Sequence, residues 1–174
     1  VADFLLKILD FVISFWPIRV IDAGCQGVKY LQGGTVVCLQ PGWHWFIPRL
    51  QRIEEVSCQT QNTDCGLQSL TTQDGKELTL SLNVTYSISD AALQRASFQH
   101  FDSTLVNMAR GHAAEIVASE SWVSVLEDPS AVASEVHTLL QEEVEPFGIM
   151  IEDITLDQLS RVKTLRLLQS TSVY

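Results

Sequence analysis

From Leu78 to Ser89 the chain alternates almost without a break. Leu78, Leu80, Leu82, Val84, Tyr86 and Ile88 are apolar or aromatic, while Thr79, Ser81, Asn83, Thr85, Ser87 and Ser89 between them are small and polar. A period of two over this length defines a strand with one buried and one solvated face. Its β-branched and aromatic content suits a pleated, half-buried surface. Asp74-Gly75 stands at its start, a hairpin signal because glycine takes positive φ without a Cβ clash. The preceding segment, 56–71, is the expected partner.

Similar punctuation runs upstream. Gly33-Gly34 predicts a tight turn between strands over 28–31 and 35–39, Pro41-Gly42 closes the second of these, and Pro48 closes the aromatic run Trp43, Trp45, Phe46. Downstream the pattern turns helical. Asp102 is positioned as N-cap of a helix over 103–119, in which Gly111, Ala114 and Ala118 give a small-residue edge. Asp128-Pro129-Ser130 opens a second helix to about Val144, with Val132, Val136, Leu139, Leu140 and Val144 on its apolar face. Gly148 to Asp157 reads as a strand whose phase shifts near Asp153, and 156–169 reads as a helix. The expected fold class is therefore α+β.

Taken in order, these residues resemble the stomatin–prohibitin–flotillin superfamily, also called SPFH or band 7. The matching positions are Gly27, Val28, Gly33, Pro41, Gly42, His44, Pro48, Gln59, Thr60, Thr72, Asp74, Gly75, Val84, Tyr86, Ile88 and Asp90. Residues 105–119 are similar to the first long helix of that family's second subdomain, and 145–149 to its aromatic-Gly-Ile turn into the last strand. The resemblance covers about 21–157 and implies a strand-rich subdomain over 19–95, a helical subdomain over 96–158, and a C-terminal helix or tail over 159–174. The long Ala/Glu/Lys coiled coil usual in the family is not within these 174 residues, so lateral ring packing is implied and a coiled-coil wall is not.

The first 18 residues form a separate segment. Asp3, Lys7, Asp10 and Ser14 are spaced four, three and four, which puts them in one narrow stripe of a helix. Phe4, Leu5, Leu6, Ile8, Leu9, Phe11, Val12, Ile13, Phe15 and Trp16 occupy the rest of its surface. A bilayer span takes about 20 apolar residues, and this run is shorter and carries charges. An interfacial or re-entrant helix fits better, with Trp16 at headgroup level and Pro17 closing it. A cleaved signal peptide is disfavoured, since no basic n-region or small-x-small site is present. Trp43, Trp45 and Phe46 read equally well as lipid contacts or as packing.

Composition excludes some partners. The 174 residues carry 11 Lys and Arg against 21 Asp and Glu, a formal charge of −10, with no basic stripe, which argues against nucleic acid. Charged residues make up 18%, below the usual quarter, so part of the surface is expected to be covered by a partner or a membrane.

No reactive constellation emerges. Cys25, Cys38, Cys58 and Cys65 lack metal-ligand spacing and read as reduced thiols. His44 reads as a strand or turn residue satisfied by backbone, and His100, His112 and His137 are scattered. Ser119, Ser121 and Ser124 have no His–Asp grammar around them. Glu142, Glu143 and Glu145 read as a solvated helix face, and the sequon at Asn83 lies mid-strand.

The expected protein has no catalytic residues, no metal and no cofactor. The resemblance implies a membrane-associated scaffold, peripheral or monotopic and on the cytoplasmic face, that packs many copies of itself or of a paralogue into a ring or cage organising a membrane patch or membrane proteins. Two alternatives remain: a low-order oligomer regulating a membrane protease or channel, and a soluble ring or shell component without lipid contact.

Overall fold

The computed structural model describes residues 17–161, apart from 32 and 49. The apolar segment before Pro17 and the tail after Arg161 lie outside the described residues. The described residues form seven strands, four helices, a short 3-10 turn and a final long strand. In order these are β1 (Ile18–Ile21), β2 (Cys25–Tyr30), β3 (Val36–Leu39), β4 (Gly42–Trp45), β5 (Arg52–Ser57), β6 (Gln61–Thr71), β7 (Glu77–Ile88), α1 (Ala91–Ser97), α2 (Phe101–Ser119), α3 (Trp122–Glu127), α4 (Pro129–Val144), the 3-10 turn Glu145–Phe147, and β8 (Ile149–Arg161). The strands make sheets ordered β1-β4, β3-β2-β5 and β6-β7-β8. Strands therefore dominate the first half and helices the second, the α+β arrangement the sequence predicts.

The contacts divide the chain into two compact units that are not consecutive stretches. One takes residues up to 62, 85–104 and 141–152, and the other 63–84, 105–140 and 153 onward. Strands β6, β7 and β8 each contribute to both.

In the first unit, β2 lies between β3 and β5. Val28 pairs with Cys38 on one side and Glu54 on the other, both antiparallel. Gly27, also on β2, is buried, and a side chain there would collide with Ile21 and Leu39; its absence lets β1 lie close against β2. Helix α1 then starts with every amide of its first turn satisfied. Ala91 N donates to the Gln26 side-chain oxygen at 2.9 Å. Ala92 N and Leu93 N donate to Asp90 Oδ1, and Gln94 N to Asp90 O at 3.1 Å. Four orphan donors are the standing cost of a helix start, and here two side chains and one carbonyl remove it. Edge-to-face rings continue the core: Tyr86 with Phe101 at 5.2 Å, Phe101 with Phe98 at 5.6 Å, and Phe98 with Phe147 at 5.0 Å between centroids.

The second unit is built on the β6–β7 hairpin. Thr72 N donates to Lys76 O across the Asp74-Gly75 turn, as the dipeptide predicts. Leu78, Leu80, Leu82 and Val84 are fully buried, and Leu105, Val117, Val136 and Leu140 from the helices join the same core. Burying each such side chain contributes about 1.5–3 kcal/mol relative to exposure. The other face of β7 is less open than strict alternation implies. Ser81 is buried and bonds Asp64 Oδ1 at 3.2 Å, because a central strand carrying short side chains is shielded by both neighbours.

Four expectations are corrected. The partner segment 56–71 is not one strand. It breaks after Ser57, where Cys58 N bonds Gly24 O, and its two parts join different sheets. Helix α2 begins at Phe101, so Asp102 lies inside the first turn rather than capping it. The hydroxyls of Ser103 and Thr104 bond the His100 carbonyl instead.

The buried small residues of α2 are Ala109 and Ala113, in register with Leu105, Ile116 and Val117, while Gly111 and Ala118 are exposed. The residues from Leu156 to Arg161 are strand, not helix. Central β7 has 12 residues and needs neighbours of matching length, and ladder pairing by the 13-residue β8 overrides a weak local helical pattern. The phase shift near Asp153 is present: Ile149, Ile151 and Ile154 are buried, with Glu152 and Asp153 exposed between the last two.

Candidate functional site

The β1–β4 ribbon presents an apolar face to solvent. Ile18 lies opposite Trp45, Val20 opposite Trp43, Arg19 opposite His44, and Ile21 opposite Gly42. Directly opposed residues of an antiparallel pair share a face, so Ile18, Val20, Trp43 and Trp45 form one side. Trp43 is 76% exposed, Trp45 71% and Val20 46%. Ile47 and Leu50, in the turn that follows, are exposed as well. The other side carries Arg19, Ile21, Gly42 and His44, and Ile21 is buried against β2.

Several bonds fix the ribbon. Phe46 N donates to Pro17 O at 2.9 Å, and Lys29 Nζ to Trp45 O at 3.2 Å. His44 Nε2 lies 2.6 Å from Gln40 O, so its imidazole holds the turn, as the sequence suggests. Trp43 and Trp45 therefore stand on a braced strand. Phe46, grouped with them by sequence, is half-buried. Sequence reasoning missed Ile18, Val20, Ile47 and Leu50, because two four-residue strands show no periodicity until their pairing is known. The other expected lipid-facing residues, from Phe4 to Trp16, lie outside the described residues.

A second feature of the same unit is a cleft of about 580 Å³ bordered by Glu55, Val56, Ser57, Gln61, Tyr86 and Asp102, with Gln94, Arg95, Gln99 and His100 around it. The Tyr86 hydroxyl donates to Asp102 Oδ1 at 2.8 Å and lies 3.2 Å from Gln61 Oε1. Gln61 Nε2 donates to Ser57 O at 3.1 Å.

The four cysteines carry free thiols. Burial pushes Cys65 up to about 11, a rise the nearby Arg110 only partly offsets. Burial also raises Cys38 and Cys58. Among the described residues no group of three His, Cys, Asp or Glu side chains converges to hold a metal ion, and no helix is long and apolar enough to cross a membrane.

The strand order, hairpins and helical second half define an SPFH-type domain. The model of the SPFH domain / Band 7 family matches residues 19–164, and the chain belongs to that family. It is similar to an uncharacterized protein of Methanocaldococcus jannaschii, 22% identical over 155 residues that cover 89% of this chain and 78% of the relative. It is also similar to mouse stomatin, 23% identical over 159 residues, with 88% of this chain and 55% of stomatin covered. Mechanosensory protein 2 of Caenorhabditis elegans is 20% identical over 169 residues, 88% of this chain and 34% of that protein. The chain thus spans about half of stomatin and a third of the nematode protein. SPFH domains are non-catalytic scaffold modules that self-associate and are generally membrane-associated.

Proposed function

We propose that this chain is a membrane-associated scaffold whose copies pack side by side into a ring or cage that organises a membrane patch or the proteins within it. The observation that carries the reading is the exposed face of Ile18, Val20, Trp43 and Trp45. Tryptophan is enriched at the membrane–water interface, where an apolar ring and a polar N–H are both satisfied. Two exposed tryptophans on one ribbon, whose first strand begins two residues after Trp16 in the sequence, support entry into the headgroup layer alongside that apolar stretch. The face is too small to hold one copy strongly, and multiplying it around a ring converts weak single contacts into stable attachment.

Cosedimentation with phosphatidylcholine–phosphatidylserine vesicles tests the reading. The unaltered chain is expected to pellet with vesicles. The Trp43→Glu/Trp45→Glu variant is expected to lose at least about tenfold in apparent affinity, equivalent to roughly 1.4 kcal/mol, with its far-UV spectrum unchanged. Equal binding by the double variant would remove the ribbon from the membrane contact.

A further inference from the structure

Two adjacent openings flank β5 and outline a groove. The Tyr86 cleft and a second opening of about 410 Å³ share Arg95 and Gln99 in their walls. Glu54 borders the second, and Glu55, Val56 and Ser57 the first. Successive strand residues point to opposite faces, so a cleft bordered by three in a row lies against the edge of the strand. Among the described residues β5 pairs with β2 alone. No described strand covers its other edge, which is open to an added strand except at the Ser57 carbonyl, already bonded by Gln61 Nε2.

The floor of the groove is rich in acceptors and poor in protons. A tyrosine hydroxyl has one proton to give, and that of Tyr86 faces both Asp102 Oδ1 and Gln61 Oε1. Gln61 cannot reverse its amide to help, because its Nε2 already serves the Ser57 carbonyl. Gln94 is 3% exposed, and its side-chain oxygen has no donor. Glu55 adds a carboxylate without an ion pair among the described residues. Arg95 and His100 are the basic groups of the walls, and both lie exposed.

We propose that this groove binds an extended segment of a partner protein, laid along β5, that presents an arginine side chain to Asp102, Glu55, Gln61 and Gln94. A guanidinium brings five N–H donors in a planar fork and no acceptor, which is the complement of this floor. The free edge of β5 supplies main-chain bonds to the flanking residues, and the −10 charge of the chain draws a basic partner at long range. Nothing in this recognition requires the membrane or the ring.

The test uses the full chain and a fluorescein-labelled capped peptide, Thr-Val-Arg-Val-Thr, read by anisotropy, with hydrogen exchange followed by mass spectrometry. The same peptide carrying neutral citrulline in place of arginine is the comparison. The arginine peptide is expected to bind at least about tenfold more tightly and to slow exchange across Glu55, Val56 and Ser57, with Asp102→Asn and the exposed Glu55→Gln each weakening it several-fold, as expected for loss of charge-assisted bonds. Glu127→Gln, far along the sequence on exposed α3, is expected to bind as the parent does. Where Asp102→Asn fails to fold, Glu55→Gln decides. Equal binding of the two peptides, no binding up to millimolar peptide, or parent-like affinity of Glu55→Gln would overturn the proposal. So would exchange protection of β5 by a second copy of this chain before peptide is added.

Discussion

The side chain of Gln26 completes the start of a helix 65 positions further along the chain. Its oxygen accepts from the Ala91 amide at 2.9 Å and from the Cys38 thiol at 3.3 Å, while its nitrogen donates to Ser89 O at 3.0 Å. One carboxamide on β2 thus binds the junction where β7 hands over to α1, and Ala91 itself is fully buried. Replacing Gln26 with Leu leaves that buried amide without a partner. A loss of about 1–3 kcal/mol is expected, measured as a lower urea midpoint at unchanged m-value. An unchanged midpoint would mean that water or a shift of α1 replaces the bond.

Gly148 and Gly75 share a φ of 72° but not a surrounding. A Cβ at Gly148 would lie 2.8 Å from Asp90 O and 3.1 Å from Asp90 Cα, whereas one at Gly75 meets nothing within 4 Å. Gly75→Ala is expected to cost only the left-handed penalty of about 1–2 kcal/mol. Gly148→Ala must also push the chain away from the α1 N-cap and is expected to cost more. Chemical denaturation of the two variants decides, and equal losses would contradict the close approach.

Asp74 ties the β6–β7 turn to the start of α3. Hydrogen bonds from Lys76 and Thr72, and from the Trp122 amide at 3.1 Å, hold its carboxyl well below the usual carboxylate range. A depressed folded-state pKa contributes stability above the unfolded value of about 3.9, and that stability is lost as pH falls through the folded value. Melting temperatures from pH 5 downward are therefore expected to fall more steeply for the parent than for Asp74→Asn. Because the carboxylate is solvent-facing, the effect is expected to shrink at high salt. Parallel pH profiles would remove Asp74 from acid sensitivity.

Cys65 is expected to resist alkylation. With its thiol pushed up to about 11 and its side chain 2% exposed, little thiolate forms at neutral pH and a reagent has little access to it. Iodoacetamide at pH 8 followed by peptide mass spectrometry is expected to modify Cys65 only after denaturation, and half-buried Cys25 sooner. Rapid labelling of Cys65 in the native protein would contradict the packing of β6.

What was legible in the sequence were features with a local cause. The alternation from Leu78 to Ile88, the Asp74-Gly75 turn and the helix from Pro129 to Val144 each carry their own period or turn chemistry. Features that depend on distant partners were not. Ile18 to Ile21 is too short to show a period, and its apolar face exists only once Trp43 and Trp45 are paired beside it. Leu156 to Arg161 reads as helix alone and becomes strand beside β7. Asp102 resembles a cap from its neighbours in sequence, and its actual partner is Tyr86. The groove along β5 gathers residues 54–57, 61, 86, 94–103 and 30, a set that no spacing rule connects.

Lateral assembly at a membrane is tested most directly by electron microscopy of the full-length protein gently extracted from its membrane. A closed ring or cage of many copies, with Trp43 and Trp45 at the lipid edge, is the expected result. Monodisperse monomers or dimers under the same extraction would contradict it.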